Sequence, residues 1–200
     1  MYKPVKIVEG KTVILNEVEP KYFSKIIEWR NNPENNRFLN QPYKLTLELQ
    51  QKWYNKYLQD YTQGLFIMID KETKKPFGTI GWTDYDNVQN VCVSGRVLIG
   101  ESEYRGSIQG TEAMILFGDY LYENLGVDKV YGHAAASNKK VVAWNKKLGF
   151  HKSKDTIKFP EHIYVNGIEH DEYLRTKDDY LDARGKIIKL IDVLGGNKND

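Results

Sequence analysis

Alternating apolar and polar positions in KTVILNEVE (11–19) predict a first strand. Glu19-Pro20 opens the next segment, and a proline near a helix start forfeits no hydrogen bond. Phe23, Ile26, Ile27 and Arg30 then share one helical face through Trp29. NNPENN (31–36) and QPY (41–43) carry loop chemistry. From Thr46 a second helix, TLELQQKWYNKYLQD, sets Leu49, Trp53 and Tyr57 four residues apart, with Leu58 beside them. Apolar runs at 65–70, 76–85 and 91–100, parted by the polar turns KETKK and DNVQN, predict an antiparallel meander. A polar loop, EYRGSIQGTEA (103–113), leads into a helix from about Thr111 to Asn124, with Ala113, Met114, Phe117, Leu121 and Leu125 near helical spacing and Gly126 as its stop. DKVYGHAAA (128–136) reads as a strand. Ser137 or Asn138 caps the next helix, NKKVVAWNKKL, whose inward residues are Val141, Trp144 or Asn145, and Leu148. Segments 149–159 and 169–177 form a last hairpin across PEHIYVNGI.

This order predicts an α+β fold with a central mixed, mostly antiparallel sheet flanked by helices. The strand–helix–strand unit at 91–136 makes one strand pair parallel, with a right-handed crossover. Residues 1–177 form the main domain. Residues 178–200 form a helical extension, with Leu181, Ile187, Ile188, Ile191 and Leu194 on an amphipathic pattern weakened by Gly185, and a fraying tail. That helix packs on its own domain or joins two subunits, so a homodimer is one expectation.

Composition narrows the class. Hydrophobic residues make up 40% and charged residues 28%, a globular balance. A net charge of +2 gives no footprint for nucleic acid. The single cysteine, Cys92, excludes an internal disulfide. MYKPVKIVEG has no apolar segment of the signal-peptide kind, and no run is long enough to span a bilayer, so a cytoplasmic protein is expected. The 4 histidines and the cysteine lie scattered without metal-ligand spacing. The 14 tyrosines and 4 tryptophans supply packing, or a wall for a ring-bearing ligand.

RGSIQGT (105–111) stands between a strand and a helix. Helix N-termini offer unpaired N–H groups and the positive end of the dipole, so this loop is either a turn or a phosphate cradle. No Gly-Lys-Ser/Thr follows, which excludes a P-loop, and the glycine spacing is wrong for a dinucleotide fingerprint. Together with SN (137–138) and KKLGF (146–150), the loop resembles the GNAT superfamily of acyl-CoA-dependent N-acyltransferases. Arg105, Ser107 and Gly110 sit in register with that family's phosphate loop. Ile108 occupies its central glycine position, where a β-branched residue disfavours positive φ. The resemblance covers roughly 11–175 and is strongest over 91–150. WRNNPENNRFL and IGESEYRGSIQGTEA are similar to the ribosomal-protein and polyamine branch, and to the branch that acetylates nucleotide-linked amino sugars. FGTIGWTDYDNVQNVCVSGRVLIGE leans toward the second.

The resemblance implies that the parallel strands splay and that the pantetheine arm of acetyl-CoA fills the gap as an added strand. Leu98, Ile99 and Gly100 would offer backbone groups, and Asn138 would reach the pantetheine amides. The pyrophosphate would rest on the N–H groups of Gly106, Ser107, Ile108, Gln109, Gly110 and Thr111 beside Arg105, with Lys139 and Lys147 toward the nucleotide end. Glu101 or His133 would take the proton from the amine. A backbone N–H near Ile99 or Gly100 would stabilise the oxyanion. Asn145 stands where many members carry a tyrosine that protonates the leaving thiolate. The acceptor would lie among Trp29, Arg30, Arg37, Tyr43, Trp82, Asp84 and Tyr85. The implied activity is transfer of an acetyl group to a small-molecule amine, foremost that of a nucleotide-linked amino sugar. Alternatives are the N-terminus of a ribosomal or other protein, a polyamine, or a non-catalytic CoA-binding regulatory role.

Overall fold

The structure is a computed structural model that describes residues 7–36, 39, 41–154 and 156–196. The first apolar run divides. β1 (Ile7–Glu9) and β2 (Val13–Glu17) form a hairpin whose turn is held by Glu112, which accepts from the amides of Lys11 and Thr12. After a short turn at Pro20, α1 (Phe23–Asn31) forms as the spacing predicts. NNPENN is not all loop: Pro33–Asn36 makes one helical turn, α2. α3 (Leu47–Tyr57) is capped by Thr46, whose side chain accepts from Leu49 N. The meander follows as β3 (Gly64–Asp70), β4 (Pro76–Asp86) and β5 (Val91–Ile99).

α4 (Ile108–Asp119) begins three residues before the expected Thr111 and closes in a wider π-type turn, Tyr120–Asn124. β6 (Lys129–Ala135) runs parallel to β5. α5 (Lys139–Lys147), β7 (His151–Lys152), β8 (Tyr164–Val165) and β9 (Ile168–Thr176) complete the sheet, and α6 (Lys177–Gly196) ends the described chain. The sheet order is β1-β2-β3-β4-β5-β6-β9-β7, with β8 on β9, and only β5–β6 is parallel among the described pairs.

The two faces of the sheet bury different clusters. α4 and α6 cover Val13, Leu15, Phe66, Ile80, Trp82, Cys92 and Val130 with Phe117, Tyr120, Leu121, Tyr180 and Ile187. Fully burying one such side chain contributes roughly 1.5–3 kcal/mol. α6 therefore packs on its own domain, with Gly185 inside a continuous helix. The tail beyond Gly196 lies outside the described residues. On the opposite face, α1 and α3 cover Leu65 and Ile67 with Phe23, Ile26, Leu45 and Tyr57.

Candidate active site

β5 and β6 pair only where Val91–Val93 meets Lys129–Tyr131. Beyond that point β5 continues to Ile99 and β6 to Ala135, with β9 bonded along the far edge of β6. The strands leave an opening edged by backbone groups, which an extended ligand bearing amides fits. Gly100 N–H donates to Phe77 O at 2.8 Å and Glu101 N–H to the same oxygen at 3.1 Å, so both face β4. Leu98 is in register with Thr79, again on the β4 side. Strand alternation turns the Ile99 groups the other way, into the opening. Of the three residues expected to offer backbone there, Ile99 remains. Gly100 serves packing instead: a Cβ there would lie 2.2 Å from Cγ of Trp29.

The loop before α4 differs in detail from the expectation. Its positive φ is at Gly106 (+76°), where nothing stands within 4 Å of a Cβ position. Ile108 is the first residue of the helix, so its branched side chain causes no strain. Ser107 is the N-cap: its Oγ accepts from Gly110 N at 3.0 Å and donates to Tyr104 O at 2.9 Å. The amides of Ser107 and Thr111 are also taken, by Tyr104 O and Ser107 O. The amides of Gly106, Ile108 and Gln109 have no partner among the described residues, and they stand at the positive end of a 12-residue helix. Arg105 reaches out to Asn35 Oδ1 at 2.6 Å. The Gln109 side chain donates to Asp70. These free amides, the bare Gly106 and the open strand edges fit a CoA pyrophosphate and pantetheine arm.

Asn138 caps α5, accepting from Val141 N at 3.4 Å. Lys139 and Lys147 stand at opposite ends of that helix, about 12 Å apart along its axis, and do not converge on one phosphate.

Two irregularities in the β4–β5 ladder shape the other side of the opening. The register slips between Thr79 and Gly81 and again between Thr83 and Asp86. Arg96 and Asp84 carry φ of +53° and +54°, conformations that cost roughly 1–3 kcal/mol each in a residue with a Cβ. Both side chains reach the α1/α3 face. The Arg96 guanidinium lies 5.6 Å from the Trp53 ring, and its buried Nη1 has no hydrogen-bond partner. Arg30 donates through Nε to Gln41 Oε1 at 2.7 Å. Burial lowers the pKa of both arginines, and Arg30 lowers that of Arg96 further, while Tyr57, Asp60 and Asp84 pull it back. Neither arginine has a carboxylate in ion-pair contact among the described residues.

Asp84 instead meets His162, Oδ2 to Nε2 at 2.9 Å. This bond holds the Asp84 carboxyl below its ordinary range and raises the His162 imidazole. The His162 ring stacks on His133, centroids 4.9 Å apart and planes 22° from parallel. His133 Nε2 lies 3.3 Å from Glu172 Oε2, and Glu172 also accepts from the amides of Lys158 and Phe159. Burial first, then His162, lowers the His133 pKa.

The expected catalytic residues form no hydrogen-bonded set. Glu101 accepts from the Trp29 indole at 2.9 Å and from Lys25 at 3.1 Å, and the indole bond in particular holds its carboxyl below the usual range. Asn145 lies within α5, its carbonyl accepting from Phe150 N. The expected acceptor wall also divides. Trp29 is 2% exposed and is packed against Gly100. Trp82 and Tyr85 need correction. Trp82 is buried on the α4 side, 5.9 Å from Phe66 and 5.3 Å from Tyr120, because strand alternation turns it away from Thr83. Tyr85 packs against the same cluster and donates its hydroxyl to Leu125 O. Tyr43 is exposed, and Arg37 lies outside the described residues.

Sequence reasoning missed Trp53, Tyr57, Arg96 and His162 as a group. Arg96 had one signal, a charge inside the apolar run VCVSGRVLIG. His162 had none nearby, since its partner stands 78 residues away. The scattered histidines also concealed one convergence: ligand-type atoms of Asp84, Glu161 and His162 lie within 4.8 Å of one another.

The family described as "Acetyltransferase (GNAT) domain" matches residues 12–151. An N-acetyltransferase 9-like protein from Nematostella vectensis is 25% identical over 183 residues, covering 78% of this chain and 87% of the relative. Spermidine N-acetyltransferase from Vibrio cholerae, solved with CoA and spermine, superposes with a TM-score of 0.72 at 20% identity, over 86% of this chain and 99% of that one. FdhC, a nucleotide-linked sugar GNAT, gives 0.72 at 18% identity, over 96% and 99%.

Proposed function

The chain belongs to the GNAT acetyltransferase family and is an acyl-CoA-dependent N-acetyltransferase, and from that premise we propose that it acetylates the amino group of a nucleotide-linked amino sugar. One observation carries the choice of acceptor. Arg30 and Arg96 bring two half-buried guanidinium groups to the acceptor side of the strand opening, neither of them in ion-pair contact with a carboxylate among the described residues. Like charges in a poorly solvated site repel, and an anionic acceptor relieves that cost. A nucleotide diphosphate matches the planar fork of arginine, and stacking over the Trp53 ring orients that of Arg96. A polyamine would add cations to this place, where its recognition needs carboxylates. The solved spermidine enzyme and the nucleotide-linked sugar GNAT share the fold about equally, so our choice of acceptor class rests on this charge balance and not on the likeness.

When bound, acetyl-CoA supplies the acetyl group as a thioester. The chain's own part is positional and electrostatic. The amides of Gly106, Ile108 and Gln109 would hold the pyrophosphate, and the edges of β5 and β6 the pantetheine amides. Ile99 N–H is the donor available to charge developing on a carbonyl oxygen. Asn145 is the polar side chain available to the leaving sulfur.

No described helix is long and apolar enough to cross a membrane. The buried Cys92, its thiol pushed up to about 12 by desolvation, suits the cytoplasm that we propose as its location. α6 leaves Leu181 and Leu190 exposed, and pairing of two copies through them would appear in sedimentation.

Thiol release from acetyl-CoA tests the acceptor. The panel holds UDP- and dTDP-linked amino sugars, spermidine, and peptides with free N-termini. Highest kcat/KM with a nucleotide sugar is expected. Highest kcat/KM with spermidine or a peptide would replace the acceptor class and leave the chemistry standing.

A further inference from the structure

We propose that His162 accepts the proton from the acceptor amine and that Asp84 holds its ring for that task. The inference rests on the reading that an amine is acetylated at this opening, and does not depend on which amine. Three groups near the opening have the chemistry of a base. Glu101 is the least suited, because an indole N–H and a lysine already occupy its carboxylate. His133 has a side chain only 6% exposed, and its Nε2 is engaged by Glu172. Taking a proton there would place a charge in a desolvated site. His162 differs in exposure. Both imidazoles have Nε2 held by a carboxylate, but the other nitrogen of His133 is buried, whereas the His162 side chain is 30% exposed, so its second ring nitrogen can accept where solvent reaches it.

The placement is set by the strands. Val93 and Tyr131 are the last paired residues of β5 and β6, so the opening starts there. His133 stands two residues beyond Tyr131 and on the same face of β6. His162 lies flat against it. The imidazole thus sits beside the apex of the opening, on the side where Arg96 and Arg30 would hold an anionic acceptor.

The charges around the ring favour its protonated form. Asp84 on β4 lies 2.9 Å away, and Glu161 on the same turn lies 3.9 Å away. Arg96 on β5 opposes them. His133 on β6 is kept neutral by burial and by this same ring, with Glu172 behind it. The step is a single proton transfer. The N–H bond of the ammonium breaks, its electron pair stays on nitrogen as the attacking lone pair, and the proton forms a new N–H bond on His162. Nothing is oxidised or reduced, and the imidazolium returns its proton to water.

The test begins with the free protein. Imidazole resonances are followed by NMR across pH in wild type and in Asp84→Asn. kcat/KM is then measured across pH with the best acceptor. The expected result is a His162 midpoint above the ordinary 6.5, matched by the acid limb of kcat/KM, with both moving down together in Asp84→Asn. His162→Gln is expected to lose roughly 100-fold or more in kcat/KM at neutral pH, with CoA binding to the free protein unchanged. His162→Ala is expected to regain part of its rate with added imidazole. A limb that ignores Asp84→Asn, or that follows Glu101→Gln, would overturn the assignment. Loss of turnover in EDTA would also overturn it, since Asp84, Glu161 and His162 would then be metal ligands. If no amine is acetylated while His162 titrates as expected, the functional reading fails first and this assignment fails with it. Failure of this assignment alone would show as turnover without the linked midpoints.

Discussion

The two faces of the sheet obey different rules. Under α4 and α6, the buried cluster runs from β2 across to β6 and is apolar or aromatic around one charge, Arg175, which is enclosed by the rings of Phe150, Tyr180 and Tyr122 and donates to Leu148 O and the Tyr122 hydroxyl. Under α1 and α3, a smaller apolar cluster gives way toward β5 to Arg30, Arg96, Asp84, His133 and His162. Within the β4–β5 ladder, the left-handed residues Asp84 and Arg96 both serve the second face. The first face supplies stability, and the second uses some of it to hold charges in a place chosen for a ligand.

Substitutions can separate these roles. Phe66→Ala should remove a ring that is 1% exposed and lies 5.0 Å from Tyr120, costing about 3–5 kcal/mol in urea unfolding. Turnover per folded molecule should hardly change. Arg96→Met should do the reverse. Loss of one charge-assisted contact implies roughly 10- to 100-fold lower kcat/KM for an anionic acceptor, with the urea midpoint unchanged or raised, because a half-buried charge whose Nη1 has no hydrogen-bond partner has been removed. A fall in midpoint with full activity would mean that Arg96 belongs to the stabilising face.

Gly106→Ala is smaller in effect on folding. Its φ of +76° costs a residue with a Cβ about 1 kcal/mol, and CoA affinity by calorimetry should fall with it. The weakest effect is pH dependence of stability from the Asp84–His162 pair. The raised His162 contributes stability that is full below 6.5 and lost as pH rises through its higher folded value. The depressed Asp84 contributes stability present above 3.8 and lost as pH falls through its lower folded value. Both apply between those limits. Because the pair is about one-third exposed, the gain is held to roughly 0.2–1 kcal/mol. Midpoints of wild type and Asp84→Asn should differ most at about pH 5–6.

The sheet was legible where period and punctuation agree. β3, β4 and β5 follow from apolar runs parted by KETKK and DNVQN, and the parallel β5–β6 pair from the helix between them. β1 escaped because its turn at Gly10–Thr12 is held by Glu112, a hundred residues on. The start of α4 was set too late because Gly110 looked like loop, although Ser107 was already the cap. At the site, glycine signals pointed to the loop before α4. The acceptor side depended on two bulges with non-glycine residues at positive φ, which period-2 reading does not register. Tyr85 was assigned to a ligand wall for that reason, whereas Trp82 lies in the regular part of β4, where alternation alone turns it to the α4 side. Asp84 was found as a position, but not its partner.

The tail helix has a mechanical role. Tyr180 lies so close over Gly118 that a Cβ there would come within 2.4 Å of its ring, and its hydroxyl is 2.7 Å from both Ile115 O and Asp119 Oδ1. Arg184 grips the same Asp119 with two N–H groups. α4 is thus clamped near its C-terminal end, about 15 Å along the axis from Ile108, where the open amides stand. Nearer the open amides the same helix is tied to the β1–β2 turn through Glu112 and to Asp70 through Gln109. α6 therefore completes a two-point mounting of the helix that presents those amides, and loosening this clamp would leave the alignment of the loop to the first tie alone.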